Sequence, residues 1–215
     1  MHAELLRIEY DIQHLLILSK RNLRDHLVIR MIVATLSTSE ELSNLRKKDF
    51  RKFKGKEYEF YTVRLKSAGK TRISPVDNKT YEIAIKLNDF NFTENEIDSI
   101  IGKYSPKDKR YDAEKLRKAV IKILKDASLF EIDFEEIRDI ETLYMYMIDF
   151  NPLYSGIWDE DEECIEDFIL NYSEITGIKD ASKIATEIGY DFKKVEEILK
   201  SGKKSLFSYR IFKKD

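Results

Sequence analysis

A chain of 215 residues with 42% hydrophobic and 36% charged residues, three prolines and seven glycines is built for one well-buried domain plus a smaller one, with little room for disordered linkers. The formal net charge of −2 weighs against a nucleic-acid partner, and the single Cys164 excludes an internal disulfide and a thiolate zinc site within one chain. No apolar run approaches the roughly 18 residues of a membrane span, and the start, MHAELLRIEYDIQHLL, lacks a small-residue cleavage site, which predicts an intracellular, cytoplasmic protein. Lys, Glu and Ile dominate while Gln13 is the sole glutamine, a balance found in thermophile proteins.

In chain order, Leu5, Ile8, Ile12, Leu15 and Leu16 repeat with helical period up to Ser19-Lys20. A second helix is expected over Arg24 to Thr35, apolar nearly all round and therefore central. Thr38 or Ser39 can cap a short third helix, with Glu40 and Glu41 in its first turn. The period then changes. Tyr58 to Lys66 and Lys70 to Val76, rich in aromatic and β-branched residues, flank Ser67-Ala68-Gly69 and predict a hairpin. Helices follow at Asn78 to Leu87, at Thr93 to Ile101 with Thr93 and Glu96 as a capping box, at Asp112 to Ala127, and at Phe134 to Met147. Asn151-Pro152 and Ser155-Gly156 then punctuate the chain and set a domain boundary, giving domains 1–154 and 155–215. A helix over Asp159 to Tyr172 opens the second. The expected fold class is mainly α with a small β component.

Followed along the chain, the near-neutral average separates into blocks. From Ser43 to Leu87 the basic residues Arg46, Lys47, Lys48, Arg51, Lys52, Lys54, Lys56, Arg64, Lys66, Lys70, Arg72, Lys79 and Lys86 exceed the acids by eight. From Leu129 to Ile169 fourteen acids face Arg138 alone, and after Lys193 the tail is basic again. Two basic blocks therefore flank an acidic one.

The order helix, helix, capped helix, basic hairpin, helices goes with a sequence likeness. The segment Arg24 to Phe50, RDHLVIRMIVATLSTSEELSNLRKKDF, resembles the part of tyrosine recombinases and phage integrases that carries the first catalytic arginine in a T-G-L-R-x-S-E-L pattern. The hairpin with Lys66, Lys70, Arg72 and Pro75 is similar to the family's β-hairpin, whose lysine acts as a general acid, and Asp112 to Lys118 stands where the family has its H-x-L-R-H box. The resemblance spans roughly residues 5 to 130 and implies a helical DNA-binding domain. It departs from the family where chemistry is done. Those enzymes hold the scissile phosphate with two arginines while a tyrosine attacks. Aligned on Glu41-Leu42, Thr38 stands at the first arginine, Glu114 and Lys118 replace the histidines around Arg117, and no histidine follows His26. The residual catalytic candidates are Arg117, Lys66 and Tyr154. The resemblance thus implies a domain that has lost strand cleavage and kept a DNA-binding surface.

The C-terminal stretch Lys179 to Leu199, KDASKIATEIGYDFKKVEEIL, has the spacing of a helix-turn-helix: Ala185 where two helices cross, Gly189 for the tight turn, and Val195 pointing back from the second helix. Beyond Gly202, Leu206, Ser208 and Arg210 alternate with Phe207, Tyr209 and Ile211 as in a short strand, so the segment resembles a winged helix. The expected DNA-contacting residues are Tyr190, Lys193, Lys194, Lys203, Lys204 and Arg210 here, with Lys66, Lys70 and Arg72 on the hairpin. The acidic run Asp159 to Glu163 fans around a helix axis and suits a helix N-terminus better than a metal ion.

Non-catalytic binding of duplex DNA, as a transcriptional regulator or integrase-derived accessory factor, is the expected function. A protein-interaction module using the winged helix and the acidic segment, and a surviving strand transferase, are the alternatives. No cofactor, metal, membrane or small-molecule ligand is expected. A protein partner or a homodimer stays open.

Overall fold

Leu5, Ile8, Ile12, Leu15 and Leu16 lie buried along one side of α1 (His2–Ser19), as their spacing requires. The computed structural model describes residues 2–54, 59–88, 90–127, 151, 153, 154, 166, 168–170, 172, 173, 177–188 and 190–203. The chain divides into two compact units, Met1–Ile157 and Trp158–Asp215.

In the first unit Asn22 caps α2 (Leu23–Thr35), its side chain accepting from the N–H groups of Arg24 and Asp25 at 3.0 and 3.2 Å. Every residue from Asp25 to Thr35 is buried, and the helix touches α1, α4 (Asn78–Lys86), α5 (Glu94–Tyr104) and α6 (Ala113–Ala127). A helix surrounded on all sides must satisfy its polar side chains internally. Arg30, 1% exposed, donates to Asp77 at 2.7 Å and to Thr80 at 3.0 Å, and His26 shares a 2.8 Å hydrogen bond with Ser19. Buried Asp25 accepts from the Tyr104 hydroxyl at 2.7 Å and from Lys103 at 3.0 Å, while Asp11 on α1 takes the same pair of donors from Tyr111 and Lys109, at 2.7 and 3.2 Å. These two Asp-Tyr-Lys contacts anchor α5 and the segment after it to the first two helices. Burial, helped by the Asp11 hydrogen bond, pushes the Tyr111 phenol upward, so it stays a donor.

At its C-terminus α2 stops on Leu36, a buried residue in the left-handed region at φ 55, whose N–H returns to the Ile32 carbonyl. Thr38 then caps α3 (Ser39–Ser43). Its hydroxyl accepts from the Glu41 N–H at 3.2 Å, and the Glu41 carboxylate accepts from the Thr38 N–H at 3.0 Å, a complete capping box.

A 3-10 turn, Lys47–Asp49, leads into a three-stranded antiparallel sheet in the order β1 (Phe50–Lys54), β2 (Glu59–Ser67), β3 (Lys70–Val76). The hairpin expected from sequence is β2 and β3, and β1 adds an edge. Between Ser67 and Lys70, Ala68 at φ 41 and Gly69 at φ 75 supply the two left-handed residues that a two-residue hairpin turn needs to match strand twist. Asp77 caps α4 and Thr93 caps α5. The Glu96 carboxylate goes to the Arg24 guanidinium, which holds it below the usual carboxylate range.

In the second unit, residues 166, 168–170, 172 and 173 are helical, with Phe168, Ile169 and Leu170 buried. Two helices follow, α7 (Ala181–Ile188) and α8 (Phe192–Lys200). The expected helix over 134–147, the turn glycine Gly189, the acidic run 159–163 and the strand at 206–211 lie outside the described residues. The fold is mainly helical with a small antiparallel sheet.

Candidate nucleic-acid interface

Pairing register assigns each residue of the sheet to a face, because directly opposed residues and alternate residues along a strand project the same way. Phe50 opposes Val63 and Val63 opposes Ser74, and with Leu65 and Val76 these make the buried face, which packs against α2, α3 and α4. Arg51, Arg64, Lys66, Thr71 and Ile73 belong to the opposite face. There Arg51 and Thr71 are exposed, Arg64 is half-buried and Ile73 remains 48% exposed, while Thr62 and Pro75 on the same face are buried.

Several cations elsewhere in the first unit are engaged by acids. Arg7 pairs with Asp108, Arg24 with Glu96, Arg30 with Asp77, Lys103 with Asp25, Lys109 with Asp11, and Lys122 with Glu4. Lys79 and Lys86 on α4 and Lys125 on α6 pair with no acid among the described residues, and such pairs are also sparse on the outward sheet face and its margins. Among the described residues no carboxylate pairs with Arg51, Arg64, Lys70, Lys47 or Lys48. Lys52, on the other face, lies over the Tyr61 ring at 5.6 Å. A surface with an excess of positive charge and low local neutralisation focuses a positive potential, which suits a polyanion.

The residues singled out from sequence divide accordingly. Lys66 reaches Asp49 at 3.1 Å, and Asp49 is buried. Arg72 donates twice to Glu41, at 2.6 and 2.8 Å, and once to the Thr35 carbonyl at 3.0 Å. Of the hairpin trio Lys70 alone stands clear of acids among the described residues. Arg117 has Glu114 of its own helix 3.6 Å away, and the Tyr154 hydroxyl donates to the Ala34 carbonyl at 3.1 Å. Asn151 likewise donates to the Val33 carbonyl at 2.8 Å, so this short stretch closes the last carbonyls of α2. Thr38, aligned from sequence with the first arginine of tyrosine recombinases, is an N-cap. Arg117, Lys66 and Tyr154 are each held by a different element. Arg51 and Arg64 stood in the basic block without distinction, and the signal that separates them is register, which needs the strand pairing of β1.

In the second unit, Ile184, Ala185, Ile188 and Val195 form the buried seam of α7 and α8. The Tyr190 N–H returns to the Ala185 carbonyl at 3.0 Å, and Asp191 caps α8 by accepting from the Lys194 N–H at 3.0 Å. The start of α8 presents Phe192, 46% exposed, with Lys193 and Lys194 beside it in solvent, while Tyr190 is half-buried. Lys203 pairs with Glu166 at 3.0 Å, and Lys204 and Arg210 lie outside the described residues. Among the described residues no His, Cys, Asp and Glu cluster suits a metal ion, and no helix is long and apolar enough to cross a membrane.

No protein-family model and no solved structure matches the chain. An uncharacterized protein of the archaeon Archaeoglobus fulgidus is 51% identical over 210 residues, which cover 96% of this chain and 98% of that protein. Identity at that level over essentially the full length of both means common descent, and the chain belongs to the same family as this archaeal protein.

Proposed function

We propose that the protein binds duplex DNA without cutting it, using the outward face of the sheet and the start of α8. The observation that carries this reading is the placing of Arg51 and Arg64 on the outward sheet face, with Lys70 at the adjoining turn, none of them with an acid partner among the described residues. Lone cations on a sheet could serve solubility alone. Arg51 and Arg64 on one face next to an exposed Ile73, with Lys70 at the adjoining turn, fit a surface that meets phosphates and a groove.

In this reading the first unit has a recombinase-like build. Support comes from the element order and from the junction after α2. Thr35 matches the threonine of T-G-L-R, and Leu36, at the pattern's glycine, adopts φ 55, the conformation a glycine takes most easily. Loss of cleavage follows from the use of Thr38 as a cap and from the engagement of Arg117, Lys66 and Tyr154 in separate structural contacts. The second unit acts as a winged helix-turn-helix, supported by the buried Ala185 and Val195 of its helix pair.

Fluorescence anisotropy of the full chain with random duplex DNA across a salt series tests the proposal. Affinity should fall linearly in log-log form as salt rises, with a slope of about −0.9 per phosphate contacted. Failure to bind at low salt overturns it, and a DNA complex that survives denaturation would replace it with strand transfer.

A further inference from the structure

We infer that Glu40 is a positioning residue that holds the β2–β3 turn in place for DNA, an inference that rests on the DNA-binding reading above. The hairpin is tied to α3 at its turn and on both strands. The Glu40 carboxylate accepts from the Ala68 N–H at 2.6 Å, Asn44 donates its side-chain amide to the Lys66 carbonyl at 3.3 Å, and Arg72 forks onto Glu41 at 2.6 and 2.8 Å. A two-stranded tip has little stability of its own in water. Holding it in one orientation before binding removes ordering cost from the binding step.

Glu40 has two opposed effects at this place. Its negative charge, beside the turn that joins Lys66 to Lys70, repels phosphate. Its hydrogen bond to the turn backbone orders the cationic tip. A carboxylate that served only to balance charge would have no need of the Ala68 N–H, and its removal would strengthen DNA binding.

Two substitutions separate the effects. Glu40→Gln removes the charge and keeps a carbonyl oxygen able to accept from Ala68, whereas Glu40→Ala removes both, and the two variants carry the same net charge. Anisotropy with random duplex DNA should show Glu40→Gln binding as well as or up to about threefold tighter than the parent chain. Glu40→Ala should bind about three- to tenfold more weakly than Glu40→Gln, the worth of one hydrogen bond, with an equal salt slope. Hydrogen exchange at the Ala68 amide should quicken in Glu40→Ala only. Equal affinities and equal exchange in the two variants overturn the positioning role while the parent chain still binds. Absence of binding by the parent chain instead removes the DNA-binding reading, and this inference with it.

Discussion

His14 shows how a single buried side chain ties stability to pH. It lies 7% exposed on α1 against the Tyr10 ring, and burial pulls its imidazole from 6.5 down to about 4, although the nearby carboxylates of Asp11 and Asp108 favour the charged form. Above pH 6.5 His14 is neutral in both the folded and unfolded chain and adds no pH dependence. Between pH 6.5 and 4 the unfolded chain takes up a proton that the native state refuses, so stability falls by up to about 3 kcal/mol. His14→Leu should flatten that acid limb in urea denaturation series, and an unchanged limb would place the dependence elsewhere. Arg30 belongs to the same scale. With its guanidinium 1% exposed and the Asp77 carboxylate 2.7 Å from it, Asp77→Asn keeps a capping oxygen for α4 but removes the charge of that buried pair. It should cost about 3–5 kcal/mol, read as a lower urea midpoint at constant m. A loss under about 1 kcal/mol would mean that the Asp77 charge is not needed there.

Among the elements, α3 is short yet fixes much of its surroundings. Five residues cannot hold a helix by propensity, so the capping box and the contacts to β2 and α5 sustain it. Thr38→Ala should cost about 1 kcal/mol in chemical denaturation. A cost near zero would show that Glu41 and Arg72 hold the segment without the hydroxyl. The helices of the first unit were legible because buried positions recur at helical spacing: Leu116, Ala119, Val120, Ile123 and Leu124 make α6 plain. Strand β1 was not. Its sequence, Phe-Arg-Lys-Phe-Lys, carries charge at three of five positions and offers little alternation of apolar and polar residues. Its identity as a strand comes from the ladder with β2, a tertiary contact that local propensity does not encode. The capping box expected at Thr93 and Glu96 differs for a similar reason. Thr93 does accept from the Glu96 N–H at 3.2 Å, but the Glu96 carboxylate is drawn to Arg24, seventy-two residues away, where a charged partner outweighs a backbone amide.

For the whole molecule, a formal charge of −2 is a sum over regions of opposite sign, and what a polyanion meets is the local excess left after ion pairing. The paired and unpaired cations of the sheet region make separable predictions for the full chain with duplex DNA. Replacing Arg51 and Arg64 together by Gln should reduce the salt slope by about two units, one for each phosphate that is no longer neutralised. Lys66→Gln, which frees the buried Asp49, should lower stability while leaving the slope nearly unchanged. The reverse result, with Lys66 governing the slope, would move the interface toward the hairpin residues picked out by sequence.

Sequence by itself determined the mainly helical class, the position of the central helix, the hairpin, and the basic and acidic blocks, because these depend on spacing between neighbours along the chain. The same spacing made the Ala185 and Val195 seam of the second unit readable. Tertiary structure alone decided which cations are available to a partner. Arg72 meets Glu41 across thirty-one residues, Arg30 meets Asp77 across forty-seven, and Lys109 meets Asp11 across ninety-eight. Which acid neutralises which base depends on where the fold brings distant segments together, and a pair with one member buried is screened little by solvent.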